Sequence, residues 1–266
     1  MAEIDFFDIY QGQLAAFLLV LTRTSGIFLV SPFFGSMNIP VQLRAGVATA
    51  MAFVTFPVIV QKTVVTAPDN LWFFAGTVLQ ELFIGFMIGF IAYVALAAIN
   101  MAGKIMDMQV GFSVAQVMDP TSGQQSPLIG SFLYNLAIIY FLVVNGHHII
   151  ISALVESFNR IPLDGLIWND TLASFIGDLT AGVFLVGMKI AMPVTFAILI
   201  TNVGMGILAR TMPQMNIFVV GIPMHLMIGT FMLTMLLPFF FLFMDTVFND
   251  MYANITNALK LISPNP

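Results

Sequence analysis

The sequence predicts an all-helical protein of the membrane type that is not a simple bundle of straight spans. Three observations predict it. First, 8 Lys and Arg and 13 Asp and Glu in 266 residues, against 59% hydrophobic residues, are too few polar groups to cover a free soluble monomer. Soluble domains carry about 25% charged residues. Second, long apolar blocks run at about 12–34, 43–60, 71–102, 128–144, 146–155, 181–208 and 217–244. Crossing a bilayer core of roughly 30 Å takes about 20 helical residues. Third, several blocks are the wrong length or are interrupted, and broken helices survive at membrane depth only when buried in protein or lining a wet cavity.

Taken in order, block 12–34 carries Arg23 near its centre and ends in the Pro/Gly turn Ser31-Pro32-Phe33-Phe34-Gly35-Ser36-Met37-Asn38-Ile39-Pro40 before block 43–60. Block 71–102 would be roughly 48 Å long at about 1.5 Å per residue, too long for one untilted crossing. It carries Gln80-Glu81 and the small-residue pair Gly85 and Gly89. Glycines four apart let another helix backbone approach closely, either in the same chain or in another subunit. Block 128–155 is cut by Asn145-Gly146-His147-His148. Blocks 181–208 and 217–244 contain Pro193, Pro223 and Pro238. Each proline removes a helix hydrogen bond and kinks its segment.

Two longer interruptions differ in character. Segment 156–180, with Glu156, Arg160, Asp164, Asp170 and Asp178, reads as a wet loop with a short amphipathic piece. Segment 106–127 is unlike it. Met108-Gln109-Val110-Gly111-Phe112-Ser113-Val114-Ala115-Gln116-Val117-Met118 is apolar with small residues, and Asp119-Pro120 follows. Two readings are open: a helix end with a surface turn, or a loop inserted in a cavity or pore. In the second, Met and aliphatic side chains would seal by deformable contact, and an apolar constriction can close a pore by dewetting.

Ionisable residues inside apolar blocks are functional candidates by default. Arg23, Glu81, Lys189 and Asp245 qualify. They would serve an ion path, or they would snorkel or pair, and an Arg23–Glu81 pair would satisfy both charges. Catalysis finds no foothold. His147-His148 lacks the i,i+4 spacing of a zinc hydrolase, His225 stands alone, and no Gly-x-Ser-x-Gly or phosphate loop occurs. No metal or cofactor is expected. The absence of cysteine excludes a disulfide framework and thiolate chemistry. A net charge of −5 without a basic patch argues against nucleic acid. The acidic start Met1-Ala2-Glu3-Ile4-Asp5 lacks the basic region of a cleavable signal and leans toward the non-cytoplasmic side. Arg44, Lys104 and Arg210 fall in candidate cytoplasmic loops.

A set of segments then carries a resemblance: Gln80-Glu81-Leu82-Phe83-Ile84-Gly85-Phe86, Met108-Gln109-Val110-Gly111-Phe112-Ser113 through Asp119-Pro120, Asn145-Gly146-His147-His148, and Gly206 to Phe218 with Val220-Gly221-Ile222-Pro223. In order and spacing these residues resemble the FliR family of flagellar biosynthesis proteins, whose virulence relatives are the SctT export-gate subunits. Arg23 to Gly26 and Ser31-Pro32 to Pro40 resemble it too. The likeness covers roughly 12–245, and 206–218 is its most specific piece. One departure stands at Lys104, where the family commonly has a carboxylate, and nearby Asp107 could substitute.

The resemblance implies a subunit of the type III export gate. It would assemble with FliP- and FliQ-type subunits into a helical complex of stacked helical hairpins around a closed channel, with FlhB- and FlhA-type components nearby. The place would be the flagellar basal body, in and raised above the bacterial inner membrane. Unfolded flagellar proteins would pass through. Segment 1–127 would be the FliP-like part with a plug-like loop, 128–180 the middle helices and polar loop, and 181–266 the FliQ-like hairpin. The plug would comprise Met108, Gln109, Val110, Gly111, Phe112, Ser113, Val114, Val117, Asp119 and Pro120 within 109–127. Subunit packing would fall on Glu81, Gly85, Gly89, Arg210, Pro213, Gln214 and Asn216, with Pro213-Gln214 at a hairpin tip. No enzymatic activity is implied. The alternatives are a virulence export-gate subunit, or a secondary transporter, which would need repeats and paired discontinuous helices; the sequence has broken helices but displays no inverted repeat and few charges.

Overall fold

A computed structural model describes residues 6–32, 35, 39–60, 70–112, 127–214 and 216–264. Among the described residues there are seven α-helices and no strand: α1 Phe6–Val30, α2 Val41–Val60, α3 Leu71–Val110, α4 Leu128–Val143, α5 Gly146–Arg160, α6 Thr171–Thr211 and α7 Ile217–Ile262. The chain divides into two compact units. One comprises 1–93, 145–178 and 250–266, the other 94–144 and 179–249, so α3, α6 and α7 each contribute to both. Neither unit is a contiguous stretch of sequence.

The first unit is built on α1 and α3. Their backbones meet because glycine lines both sides. A Cβ on Gly26 would lie 2.7 Å from the Leu82 carbonyl oxygen, and one on Gly89 2.9 Å from that of Ile27, while one on Gly85 would run into the Arg23 carbonyl. Ile27, Ile84, Ile88 and Ile91 fill the buried space around this seam. Phe17 of α1 meets Phe56 of α2 edge-on at 5.5 Å. The second unit has α4 against α3 and α7. Phe141 of α4 meets Phe248 edge-on at 5.3 Å, and Leu133, Met106, Val194 and Phe240 are buried there.

The break inside 128–155 falls where the sequence puts it. Asn145 takes the left-handed conformation at φ 57°, which Asn tolerates better than most residues, and it separates α4 from α5. The prolines behave differently: Pro193 lies inside α6, and Pro223 and Pro238 inside α7, with each helix continuing past them. α7 also extends well beyond the apolar block 217–244. Its later turns bury Val247, Met251, Ile255, Ala258 and Ile262 while Asp250 and Lys260 face outward. That three-to-four spacing is an amphipathic stripe, which a search for unbroken apolar runs passes over. Segment 156–180 is likewise more helical than a wet loop. Glu156 and Arg160 form an i,i+4 pair in α5, and only 161–170 lies between helices.

Candidate functional site

Arg23 and Glu81 meet at the centre of the first unit. Arg23 Nε donates to Glu81 Oε2 at 2.5 Å and Nη2 to Oε1 at 3.0 Å, with both residues wholly buried. This is the two-pronged geometry that a guanidinium and a carboxylate favour. Nη1 donates to the Ile161 carbonyl at 3.0 Å and to Ser157 Oγ at 3.3 Å, and the Phe158 ring lies 4.1 Å beneath the guanidinium carbon. Four of the five guanidinium N–H donors of such a group are thereby used. A buried charge pair is tolerable only when its remaining hydrogen-bonding capacity is met in this way.

The segment after α5 folds over the pair. The turn Pro162–Gly165 is closed by the Gly165 N–H on the Pro162 carbonyl at 2.9 Å. Asp164 sits in it at φ 68°, as the third position of a type II turn requires. From there its N–H approaches Glu81 Oε1 at 3.4 Å and its carboxylate accepts from Thr77 Oγ1 at 3.4 Å. Trp168 packs on Phe83 at 5.1 Å, and the Ile167 N–H donates to the Ile262 carbonyl at 3.2 Å, tying the end of α7 to the same place. The pairing of Arg23 with Glu81 was legible. Ser157, Ile161 and Asp164 were missed, because two act through backbone groups and carry no side-chain signal.

In the second unit, Met108, Gln109 and Val110 are not loop but the last turn of α3. Met108 and Gln109 are exposed, and Val110 is buried where a Cβ on Gly229 of α7 would lie 2.6 Å from its Cγ1. Gly111 then leaves the helix at φ 95°, a conformation that side-chain-bearing residues rarely adopt. Phe112 lines an apolar pocket of about 310 Å³ with Leu128, Ile129, Phe132, Thr230 and Leu233. Ser113, Val114, Val117, Asp119 and Pro120 lie outside the described residues. Lys104 is exposed, whereas Asp107 is buried and accepts from the backbone N–H groups of Ile129 at 3.0 Å and Gly130 at 3.1 Å.

The residues expected to pack against other subunits fall into two groups. Glu81, Gly85 and Gly89 are buried against α1 of their own chain, so of the two readings of the Gly85–Gly89 pair the structure takes the intramolecular one. With that face filled by the α1 backbone, no second helix has room on it. Arg210, in the last turn of α6, and Pro213, Gln214 and Asn216, in the turn before α7, are exposed. Lys189 and Asp245 are also exposed, and Asp245 accepts from the Tyr140 hydroxyl at 2.6 Å. The His147 and His148 rings lie 4.3 Å apart, tilted 56° to each other, and among the described residues no group of three or more metal-binding side chains occurs.

Much apolar surface is left uncovered on the hairpin of α6 and α7: Phe184, Phe196, Leu199, Val203 and Ile207 on the first helix, and Met227, Phe231, Met235 and Phe239 on the second. Among the described residues, five helices are long and apolar enough to cross a membrane, or six if α4 and α5 count as one bent span. Fold and sites together define a polytopic helical membrane protein held by a buried ion pair and glycine seams.

Comparison with known proteins gives its family. Residues 14–251 match the family described as bacterial export proteins, family 1. The chain is 34% identical over 250 residues to the flagellar biosynthetic protein FliR of Bacillus subtilis (strain 168), covering 93% of this chain and 95% of that one. It is 31% identical over 247 residues to that of Escherichia coli (strain K12), covering 91% and 93%, and 32% identical over 243 residues to that of Aquifex aeolicus (strain VF5), covering 90% and 92%. The chain belongs to the FliR family of bacterial export proteins.

Proposed function

We propose that this chain is a component of the flagellar export apparatus, a non-enzymatic subunit of the type III export gate in the inner membrane at the flagellar basal body. It helps form the channel through which unfolded flagellar proteins leave the cell. FliP- and FliQ-type subunits are its close neighbours, and FlhB- and FlhA-type components its further partners. In this reading 1–127 is the FliP-like part, 128–180 the middle helices and polar loop, and 181–266 the FliQ-like hairpin. Segment 109–127 plugs the channel, with Gly111 turning the chain out of α3. Arg210, Pro213, Gln214 and Asn216 meet a neighbouring subunit at the hairpin tip.

The observation that carries the reading is the likeness to flagellar biosynthetic proteins over nine-tenths of the chain. The uncovered apolar faces of α6 and α7 support it, since apolar surface of this extent is covered by lipid or by other chains. Expression in a Bacillus subtilis strain lacking its own FliR tests it. Restored motility and restored secretion of flagellar proteins are expected, together with co-purification of the FliP- and FliQ-type subunits. A chain that neither restores motility nor captures those subunits, but purifies alone as a stable monomer binding a small solute, is a transporter instead. Deleting 112–118 tests the plug. Assembly is expected to persist while the closed channel leaks ions. Wild-type impermeability in a normally formed complex would make the segment an ordinary connector.

A further inference from the structure

The junction between α3 and α4 has an unusual division of labour. The first N–H groups of a helix lack intrahelical partners and are most often met by a side chain at the residue just before it. Before α4 that residue is Pro127, which makes no side-chain capping bond. The acceptor comes from α3 instead. The Asp107 carboxylate takes the Ile129 N–H on one oxygen and the Gly130 N–H on the other. The same residue also closes α3, because its backbone carbonyl accepts the Gly111 N–H at 3.1 Å, just where φ turns positive. One turn back, a Cβ on Gly103 would run into the backbone of Gly130. The two helices are in backbone contact there, and Asp107 stitches the contact shut.

We propose that Asp107 is a tether that fixes the end of α3 to the start of α4, and so sets the spacing of the two stems from which segment 112–126 departs; its bearing on export rests on the plug reading of that segment. A tether and a helix cap make different demands. A cap needs an acceptor near the α4 N–H groups and is indifferent to which helix supplies it. A tether needs the acceptor on α3. An aspartate at position 127 would restore the cap from within α4 without restoring the bonds to α3.

The test uses the full chain assembled with its partner subunits. The chain has no cysteine, so Lys104→Cys on α3 and Ile139→Cys on α4, both exposed, accept a pair of spin labels at defined places. Asp107→Ala is expected to broaden the measured distance distribution, and adding Pro127→Asp is expected to leave it broad. Ion leak is expected to rise in both, toward that of the 112–118 deletion. A distribution unchanged by Asp107→Ala, or one narrowed again by Pro127→Asp, overturns the tether and leaves a cap. If the 112–118 deletion itself does not leak, the plug reading fails, and the distance measurement still decides the tether. If Asp107→Ala does not assemble, Asp107→Asn retains one acceptor oxygen and is expected to give an intermediate width; a wild-type width would overturn the proposal.

Discussion

Helices α3 and α7 are alike in composition and opposite in company. They are 40 and 46 residues long, and their most apolar stretches have mean hydropathies of 2.5 and 2.2. Yet 61% of that stretch is buried within the chain for α3 and 17% for α7. Hydropathy therefore does not decide which helix packs inside. The two helices also differ in how closely their glycines are approached. On α3, Gly85, Gly89 and Gly103 each stand where the backbone of another segment leaves no room for a methyl group. On α6, the partner of α7 in the hairpin, Gly177, Gly182, Gly204 and Gly206 face open space and Gly187 alone meets the α3 backbone, at 3.1 Å from the Ala98 carbonyl; on α7, Gly229 meets the Val110 side chain. Three glycines of α3 are thus spent on the chain's own fold, while four of the five on α6 are left for whatever covers the hairpin.

The largest effect that would break this contrast lies in the α1–α3 seam. Arg23→Met alone leaves the Glu81 carboxylate buried without its partner, a loss of about 3–5 kcal/mol for such pairs. The double change Arg23→Met with Glu81→Leu removes both charges, and apolar replacement of a whole pair is often close to neutral. The Ile161 carbonyl and the Asp164 N–H would then lose their partners, at about 1 kcal/mol each. The double variant is thus expected to recover most but not all of the single variant's loss. Protein level and thermal unfolding of the detergent-solubilised complex measure the order. A double variant as weak as the single would mean that the pair does more than neutralise itself.

A smaller effect compares glycines directly. Gly85→Ala forces a methyl group into the Arg23 backbone, with an expected cost of about 1–3 kcal/mol from overpacking. Gly204→Ala meets nothing within the chain and, in a helix interior, is expected to raise its own stability by about 0.5–1 kcal/mol. Gly204→Leu sharpens the contrast. If a neighbouring subunit's helix occupies that open face, the larger side chain is expected to lower the yield of complex while leaving the helicity of the chain unchanged. Unchanged yield would assign that face to lipid.

What the sequence made legible follows the same division. The helical class, the break at Asn145 and the Arg23–Glu81 pair could be read because each rests on a strong local or charge signal: a low count of charges, an Asn-Gly pair between apolar runs, two opposite charges in apolar blocks. The fold of 161–165 over that pair could not be read, because backbone groups do the bonding. The end of α7 could not be read from apolar runs, because its stripe alternates with Asp250 and Lys260. Nor could the choice between an intramolecular and an intermolecular Gly85–Gly89 seam, since the pattern is the same for both and only the position of α1 decides.

The smallest expected effect is at Arg210, and it separates two roles of one charge. Arg210 lies in the last turn of α6, where a cation faces the unpaired carbonyls and the negative end of the helix dipole. That contribution is about 0.3–1 kcal/mol and is weakened by salt. The adjoining turn supplies its own closure, because the Met212 N–H reaches the Leu208 carbonyl at 2.8 Å and Thr211 Oγ1 donates to the same oxygen at 3.1 Å. The helix end therefore does not depend on Arg210, and Arg210→Ala is expected to leave the chain's own thermal stability nearly unchanged. If the hairpin tip meets a neighbouring subunit, the yield of complex should fall in the same variant. Arg210→Lys keeps the charge but not the planar fork of donors. A lysine that restores the yield in low salt and loses it in high salt would mark a simple attraction at the helix end. A lysine that fails at both would mark a directional contact of the guanidinium with another chain, which is the outcome expected here. Wild-type yield with Arg210→Ala would take the hairpin tip out of the subunit interface.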